Sequence, residues 1–162
     1  RLFHYLLRQL NNETDAADIA QETFVRIYHH RARFQPNQNF STWLYTIATN
    51  LVRDRFRWRK RHPQVSLDAD DQDAAALKDP LPDSAPSPSD ETYTNERAVE
   101  VRKAVASLPD DLRTAVILSE YDGLPHAQIA AVLKCSSKAV ESRLYRARAH
   151  LRQRLHSLLE AG

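Results

Sequence analysis

The residues with the most chemistry to offer lie between Phe40 and Arg61, FSTWLYTIATNLVRDRFRWRKR. Trp43, Thr46, Asn50, Arg53 and Arg57 recur every three or four residues, so on a helix they share one face. That face carries a ring, an amide able to bond a base edge in two places, and two guanidiniums. Core packing requires none of them. The stretch then runs into Arg55, Phe56, Arg57, Trp58, Arg59, Lys60 and Arg61. Cations interleaved with rings suit single-stranded nucleic acid, where cations follow phosphates and ring faces stack on unpaired bases. The plainer reading is an amphipathic helix with a solvated basic end.

A second candidate surface lies in the last third of the chain. A short helix over 126–133, a turn at Lys134, Cys135 and Ser136, and a longer helix from 137 have helix-turn-helix spacing. Val140, Leu144, Ala147 and Leu151 form the buried stripe of the longer helix. Lys138, Glu141, Ser142, Tyr145 and Arg146 share its outer face, flanked by Arg143 and Arg148. Such a face suits a major groove, with base edges offered to Glu141, Ser142, Tyr145 or Arg146 and phosphates to the flanking arginines. The plainer alternative is a helical hairpin with surface arginines.

Helices must position both surfaces. In the first, Leu44, Ile47, Ala48, Leu51 and Val52 supply an apolar stripe, Ser41 is the expected N-cap, and Pro63 is the expected stop. Residues 1–11 read as a helix with Leu2, Phe3, Leu6, Leu7 and Leu10 inward. A turn over 11–14 leads to a second helix whose N-terminal signature is Asp15 with Asp18. Its core side is expected from Ile19, Phe24, Ile27 and Tyr28, leaving Asp18, Gln21, Glu22 and Val25 on another face as a solvated patch or a docking surface. Beyond about Tyr93, Ala98, Val101, Val105 and Leu108 form one stripe. Pro109 breaks it, and Leu112, Ala115, Val116 and Ser119 form the next. Gly123 suits a left-handed helix end. Pro125 opens the short helix, with Ile129, Ala130 and Leu133 buried. Ser136 or Ser137 caps the last helix, which is expected to reach about Leu159.

The chain has 162 residues, two glycines and one cysteine. The expected fold class is all-α: two small helical domains, 1–62 and 93–162, joined by a flexible, acidic, Pro-rich linker over 63–92. A turn of helix over 74–77 is conceivable on binding. Net charge is +2, but it is unevenly spread. Residues 1–62 hold 11 Lys/Arg against 5 Asp/Glu, residues 63–92 hold 1 against 8, and residues 93–162 hold 11 against 8. Two basic blocks around an acidic one suggest two polyanion-binding units on a tether. No apolar run is long enough to span a membrane, and no signal peptide is visible. The single Cys135 precludes an internal disulfide and fits a reducing cytoplasm. There is no Gly-rich phosphate loop, nucleophile motif or Cys/His metal spacing, so no enzyme activity, metal, cofactor or small-molecule substrate is expected. His29 and His30 point about 100° apart on a helix and make no metal pair.

In order, DAADIAQETFVRIY (15–28), FSTWLYTIATNLVRDRFR (40–57), LPDDLRTAVILSEYDGL (108–124) and AVESRLYRARAHLR (139–152) resemble bacterial sigma factors of the extracytoplasmic-function (ECF) group. The resemblance covers nearly everything but the linker. It implies a protein that binds core RNA polymerase and directs promoter-specific initiation. Asp18, Gln21 and Glu22 match the family's patch for the polymerase clamp helices. Leu112 and Val116 match the part that packs near the flap. Phe40, Trp43 and Asn50, with the loop 35–39, match the part that separates the −10 strands and holds a flipped base, while Arg53 and Arg57 would follow strand phosphates. Ser142, Arg143, Tyr145 and Arg146 match the surface that reads the −35 element, and Lys138 and Glu141, on the same outer face of the helix, are expected to join them there. The resemblance also implies promoter DNA and an anti-sigma factor as partners, and a cytoplasmic location, with the anti-sigma factor able to hold the protein at the inner membrane face. The residues before Asp15 resemble only the second half of the family's first conserved segment, which implies that its opening helix is absent here.

Three positions depart from the family pattern. Glu141 stands where Lys or Arg is usual; it suits a cytosine amino group but repels phosphate. Lys134 occupies a turn position where Gly is usual, and Pro125 replaces a capping Ser. The rival reading is a stand-alone helix-turn-helix regulator binding duplex operators as a dimer. A ring-and-arginine surface like that of 43–61 has no job in such a protein.

Overall fold

The computed structural model describes residues 1–63 and 88–156, with side chains from residue 96 in the second span. Every regular element among them is helical: α1 (Leu2–Leu10), α2 (Glu13–His30), α3 (Phe40–Arg61), α4 (Pro88–Ala106), α5 (Asp110–Val116), α6 (His126–Leu133) and α7 (Ser137–Arg154). A 3₁₀ turn, Arg31–Arg33, follows α2, and a π turn, Ile117–Tyr121, continues α5. The expected linker lies largely outside the described residues, including the turn of helix considered for 74–77. So does the stretch beyond residue 156 into which α7 was expected to run. Helix α4 begins ahead of the expected Tyr93.

Helices α1, α2 and α3 pack together, as do α5, α6 and α7. The two groups also pack on each other, α3 against α6 and α1 against α4 and the π turn. Their buried residues form one continuous core, running from Leu2, Tyr5 and Leu6 through Ala48 and Val52 to Ile117, Ile129, Val140 and Leu144. This burial on two sides explains why helices have wider buried faces than single stripes predict. Tyr45 and Thr49 are buried beside Ala48 on α3, and Tyr5 and Gln9 beside the leucines of α1. Each needs its polar atom satisfied in a dry core. The Tyr5 hydroxyl and Thr49 Oγ1 share a 2.7 Å hydrogen bond, and the Tyr5 and Tyr45 rings meet edge to face at 5.1 Å. Gln9 Nε2 donates to Thr114 Oγ1 at 3.1 Å.

Two helix starts differ from the sequence reading. Asn12, not Asp15, caps α2, its side chain accepting from the Asp15 N–H; Asn39, not Ser41, caps α3 and accepts from the Thr42 N–H. Asn is as good a cap as Ser or Asp, so local chemistry alone does not separate neighbouring candidates. Freed from capping, Asp15 is clasped by Arg55 at 3.0 Å and by Arg59, which joins α2 to the basic end of α3. The core side of α2 also differs. Ile19 and Thr23 are buried, whereas Phe24 and Tyr28 are 55% and 63% exposed. Thr23 fits because its hydroxyl bonds the Ile19 carbonyl.

The C-terminal turns follow their sequence signals. Gly123 has φ 66°, the left-handed conformation expected after the π turn. Lys134 ends α6 at φ 54°, so the turn keeps the left-handed shape without glycine. Ser136 caps α7, accepting from the Ala139 N–H. Val140, Leu144 and Ala147 are buried and Leu151 half-buried.

Candidate nucleic-acid interface

The first surface is built where the loop after α2 meets the start of α3. Phe34, Phe40 and Trp43 form a cluster with centroids 5.1–6.1 Å apart: Phe34 is tilted 32° to Trp43, and Phe40 stands edge-on to both. Helical geometry explains half of this, since Phe40 and Trp43 are three residues apart. Phe34 comes from outside the helix and was not singled out from sequence; an aromatic just before a polar loop was the available signal. Phe40 is exposed and Trp43 half-buried, so ring surface remains for a ligand. Asn50 and Arg53 lie half-buried further along the same helical face, and Arg57 is exposed beyond them.

The basic run at the end of α3 splits by role. Arg55 and Arg59 turn back onto Asp15. Arg57, Lys60 and Arg61 are exposed, with Arg57 paired to Asp54. Trp58 stacks on His62 at 4.7 Å and 22°. Alternation along a helix therefore divides seven basic and aromatic positions between folding and surface chemistry.

On α2, Asp18 and Gln21 are exposed and Glu22 half-buried, its carboxylate paired with Arg26 at 2.8 Å. Phe24, Val25 and Tyr28 lie exposed near them. They turn a purely polar patch into a mixed one, with apolar area for a partner to cover. Leu112 and Val116 are 6% and 3% exposed within the shared core, so in this conformation neither offers a contact surface.

The second surface is the outer face of α7. Lys138, Glu141, Ser142 and Arg146 are exposed, and Tyr145 is 77% exposed, far beyond what a core aromatic shows. Arg143 differs from them. It is largely buried, donates to Cys135 Sγ at 2.9 Å and pairs with Asp111 at 3.1 Å. Arg148 pairs with Glu120 at 2.8 Å. Cys135 thus belongs to the turn and anchors Arg143. Among the described residues, no group of three or more His, Cys, Asp or Glu could hold a metal ion, and no helix is long and apolar enough to cross a membrane.

Residues 1–62 match the family model for sigma-70 region 2, and residues 98–151 match that for sigma-70 region 4. The ECF RNA polymerase sigma factor SigW of Bacillus subtilis is 34% identical over 160 residues, covering 98% of this chain and 84% of SigW. The chain belongs to the ECF group of sigma factors. RNA polymerase sigma-H factor of Pseudomonas aeruginosa is likewise 34% identical, over 98% of this chain and 82% of its own length. The fold is similar to that of the sigma factor RpoE in complex with the anti-sigma factor NepR from Bartonella quintana (TM-score 0.72, 24% identity, 96% of this chain and 89% of that one). It is also similar to CnrH in complex with the cytosolic domain of CnrY (TM-score 0.64, 27% identity, 99% and 81%). As a sigma factor, the protein binds core RNA polymerase and directs promoter-specific initiation, reading −35 DNA with its helix-turn-helix and opening −10 DNA with its N-terminal module. The stand-alone operator-binding regulator is set aside by this assignment.

Proposed function

We propose that this sigma factor opens promoters by trapping unpaired −10 bases in the corner formed by Phe34, Phe40 and Trp43, with Asn50 reading a base edge. An unpaired base needs a stacking wall and a hydrogen-bonding edge, and the three-ring cluster beside a polar loop is the observation that carries this reading. Arg53 and Arg57 follow the phosphates of the separated strand. The opening energy comes from stacked, captured bases, with no nucleotide hydrolysed and no enzymatic step. Lys138, Glu141, Ser142, Tyr145 and Arg146 read the −35 element, Glu141 accepting from a cytosine amino group, while Arg143 takes a phosphate.

Asp18, Gln21 and Glu22, supplemented by Phe24, Val25 and Tyr28, dock on the polymerase clamp helices. Leu112 and Val116 support the flap-facing part from beneath. The two modules, 1–62 and 93–162, act through one polymerase, tethered by residues 63–92, so that weak DNA contacts combine through effective concentration. Structural neighbours captured with anti-sigma factors support an anti-sigma partner here too, and a cytoplasmic site of action.

The test is co-elution of the protein with core bacterial RNA polymerase at moderate salt. Binding is expected, weakened by charge reversal at Asp18 and Glu22. No co-elution by the folded protein would overturn the docking assignment.

A further inference from the structure

Arg143 is held unlike its neighbours on α7. Arg146 is exposed, and the Arg148 side chain keeps 60% of its surface in solvent even while paired with Glu120. The Arg143 side chain keeps 19%. Its Nη1 donates to Cys135 Sγ at 2.9 Å and its Nη2 to Asp111 Oδ2 at 3.1 Å. The acceptors come from different elements: Cys135 from the turn between α6 and α7, Asp111 from the first turn of α5. The guanidinium is thus fixed where α5, α7 and the turn of the helix-turn-helix meet.

Helical geometry explains why it lies there. Side chains on a helix lean toward its N-terminus, so Arg143 reaches back toward the turn over 134–136. That is the end of a recognition helix that enters the groove, and exposed Lys138 stands at the same end. Two hydrogen bonds use two of a guanidinium's five N–H groups, which leaves three for a phosphate. The two acceptors act differently. Asp111 offsets part of the charge that a phosphate would feel, and it also accepts from Arg53 at 3.2 Å. The neutral thiol offsets no charge, and its contact is not an ion pair that salt would screen. What the thiol supplies is direction. An arginine left loose on a surface must be ordered when it meets DNA, which subtracts from affinity, whereas one ordered in the free protein has lost that freedom already.

We propose that Cys135 is a positioning residue for −35 recognition: with Asp111 it fixes the Arg143 guanidinium before DNA arrives, so that the phosphate contact forms without ordering a loose side chain. The inference rests on the assignment of Arg143 to a −35 phosphate. Ordering one arginine on binding rather than in advance weakens association about 2- to 10-fold. The effect falls equally on all −35 sequences, because a phosphate carries no sequence information.

The experiment uses the full chain assembled with core bacterial RNA polymerase, and as probe a labelled promoter duplex selected in vitro by the wild-type holoenzyme. Cys135→Ala, Cys135→Ser, Arg143→Ala and the double variant of Cys135→Ala with Arg143→Ala are compared, with thermal unfolding as the check on folding. Cys135→Val, which fills a similar volume without an acceptor for the guanidinium, stands in if the alanine variant fails to fold. Cys135→Ala is expected to bind the duplex more weakly by the factor above. Cys135→Ser, whose hydroxyl still accepts from a guanidinium, should recover most of that loss. In the Arg143→Ala background, Cys135→Ala should cost nothing further. The salt dependence should keep its wild-type slope in both cysteine variants and become shallower by roughly 0.9 in Arg143→Ala, the share of one phosphate. Wild-type binding by folded Cys135→Ala, or losses that add in the double variant, would overturn the positioning role and leave Arg143 on its phosphate. Wild-type binding by Arg143→Ala would overturn the phosphate assignment itself, and the positioning role with it.

Discussion

Replacing Trp43 by alanine removes the ring that touches both phenylalanines of the cluster, at 5.1 Å from Phe34 and 6.1 Å from Phe40. Two aromatic pairs at about 0.5–1.5 kcal/mol each put the lost pairing at about 1–3 kcal/mol of folding stability, to which the lost burial of the half-buried ring adds. If a promoter base stacks on the same ring, its loss withdraws a further ~1–3 kcal/mol from the open complex alone, about 5- to 150-fold in opening. The two effects separate experimentally. Trp43→Phe keeps much of the packing and should recover most stability, with a smaller loss of opening. Polymerase affinity should be unchanged in both, because the ring lies on α3 and the acidic docking patch on α2. The assay is permanganate reactivity, or fluorescence of a base analogue in the −10 region, with saturating polymerase and each variant. Wild-type opening by folded Trp43→Ala would refute the base-capture reasoning and leave the cluster as loop packing.

Leu144→Ala, in the α7 stripe, should destabilise by about 2–5 kcal/mol because the residue is almost fully buried and its loss leaves a cavity; chemical denaturation reads this directly. Burial raises the Asp122 carboxyl above its ordinary 3.8, against smaller opposing effects from the Tyr45 hydrogen bond and nearby Arg8 and Arg1. Its contribution to folding is therefore most favourable below 3.8 and is lost as pH rises through the raised value. Asp122→Asn should consequently be the more stable protein at pH 7, with the difference shrinking as the solution is acidified through that window; unfolding curves at the two pH values check it. Lys134→Gly should stabilise by up to about 1 kcal/mol, since φ 54° is strained for a side chain bearing Cβ and free for glycine; a midpoint shift in denaturant measures it.

Helix content, the order of the helices and the helix-turn-helix were written in local signals. Apolar residues at three- and four-residue spacing, Pro109, Gly123 and the 134–136 turn act over a few residues, and their physics holds wherever the segment lies. The outer face of α7 was legible for the same reason: once Val140, Leu144 and Ala147 point inward, Lys138, Glu141, Ser142 and Tyr145 must point out. The family motifs added function to that pattern, because the residue types on both surfaces are what DNA contact requires.

What a segment cannot encode alone is which second face it buries. Tyr45, Thr49, Tyr5 and Gln9 carry polar atoms that are stable inside only because partners arrive from other helices. Phe24 and Tyr28, apolar and well spaced for a core, remain outside because α1 and α3 cover the other side of α2. Asp15 became a clasp for two arginines once Asn12 took the cap, and Arg143 was drawn to Asp111. Sequence determined the helices and the chemistry available on them. Tertiary packing decided which of those groups bond one another and which stay exposed, because burying a polar atom is tolerable only where the fold brings it a partner.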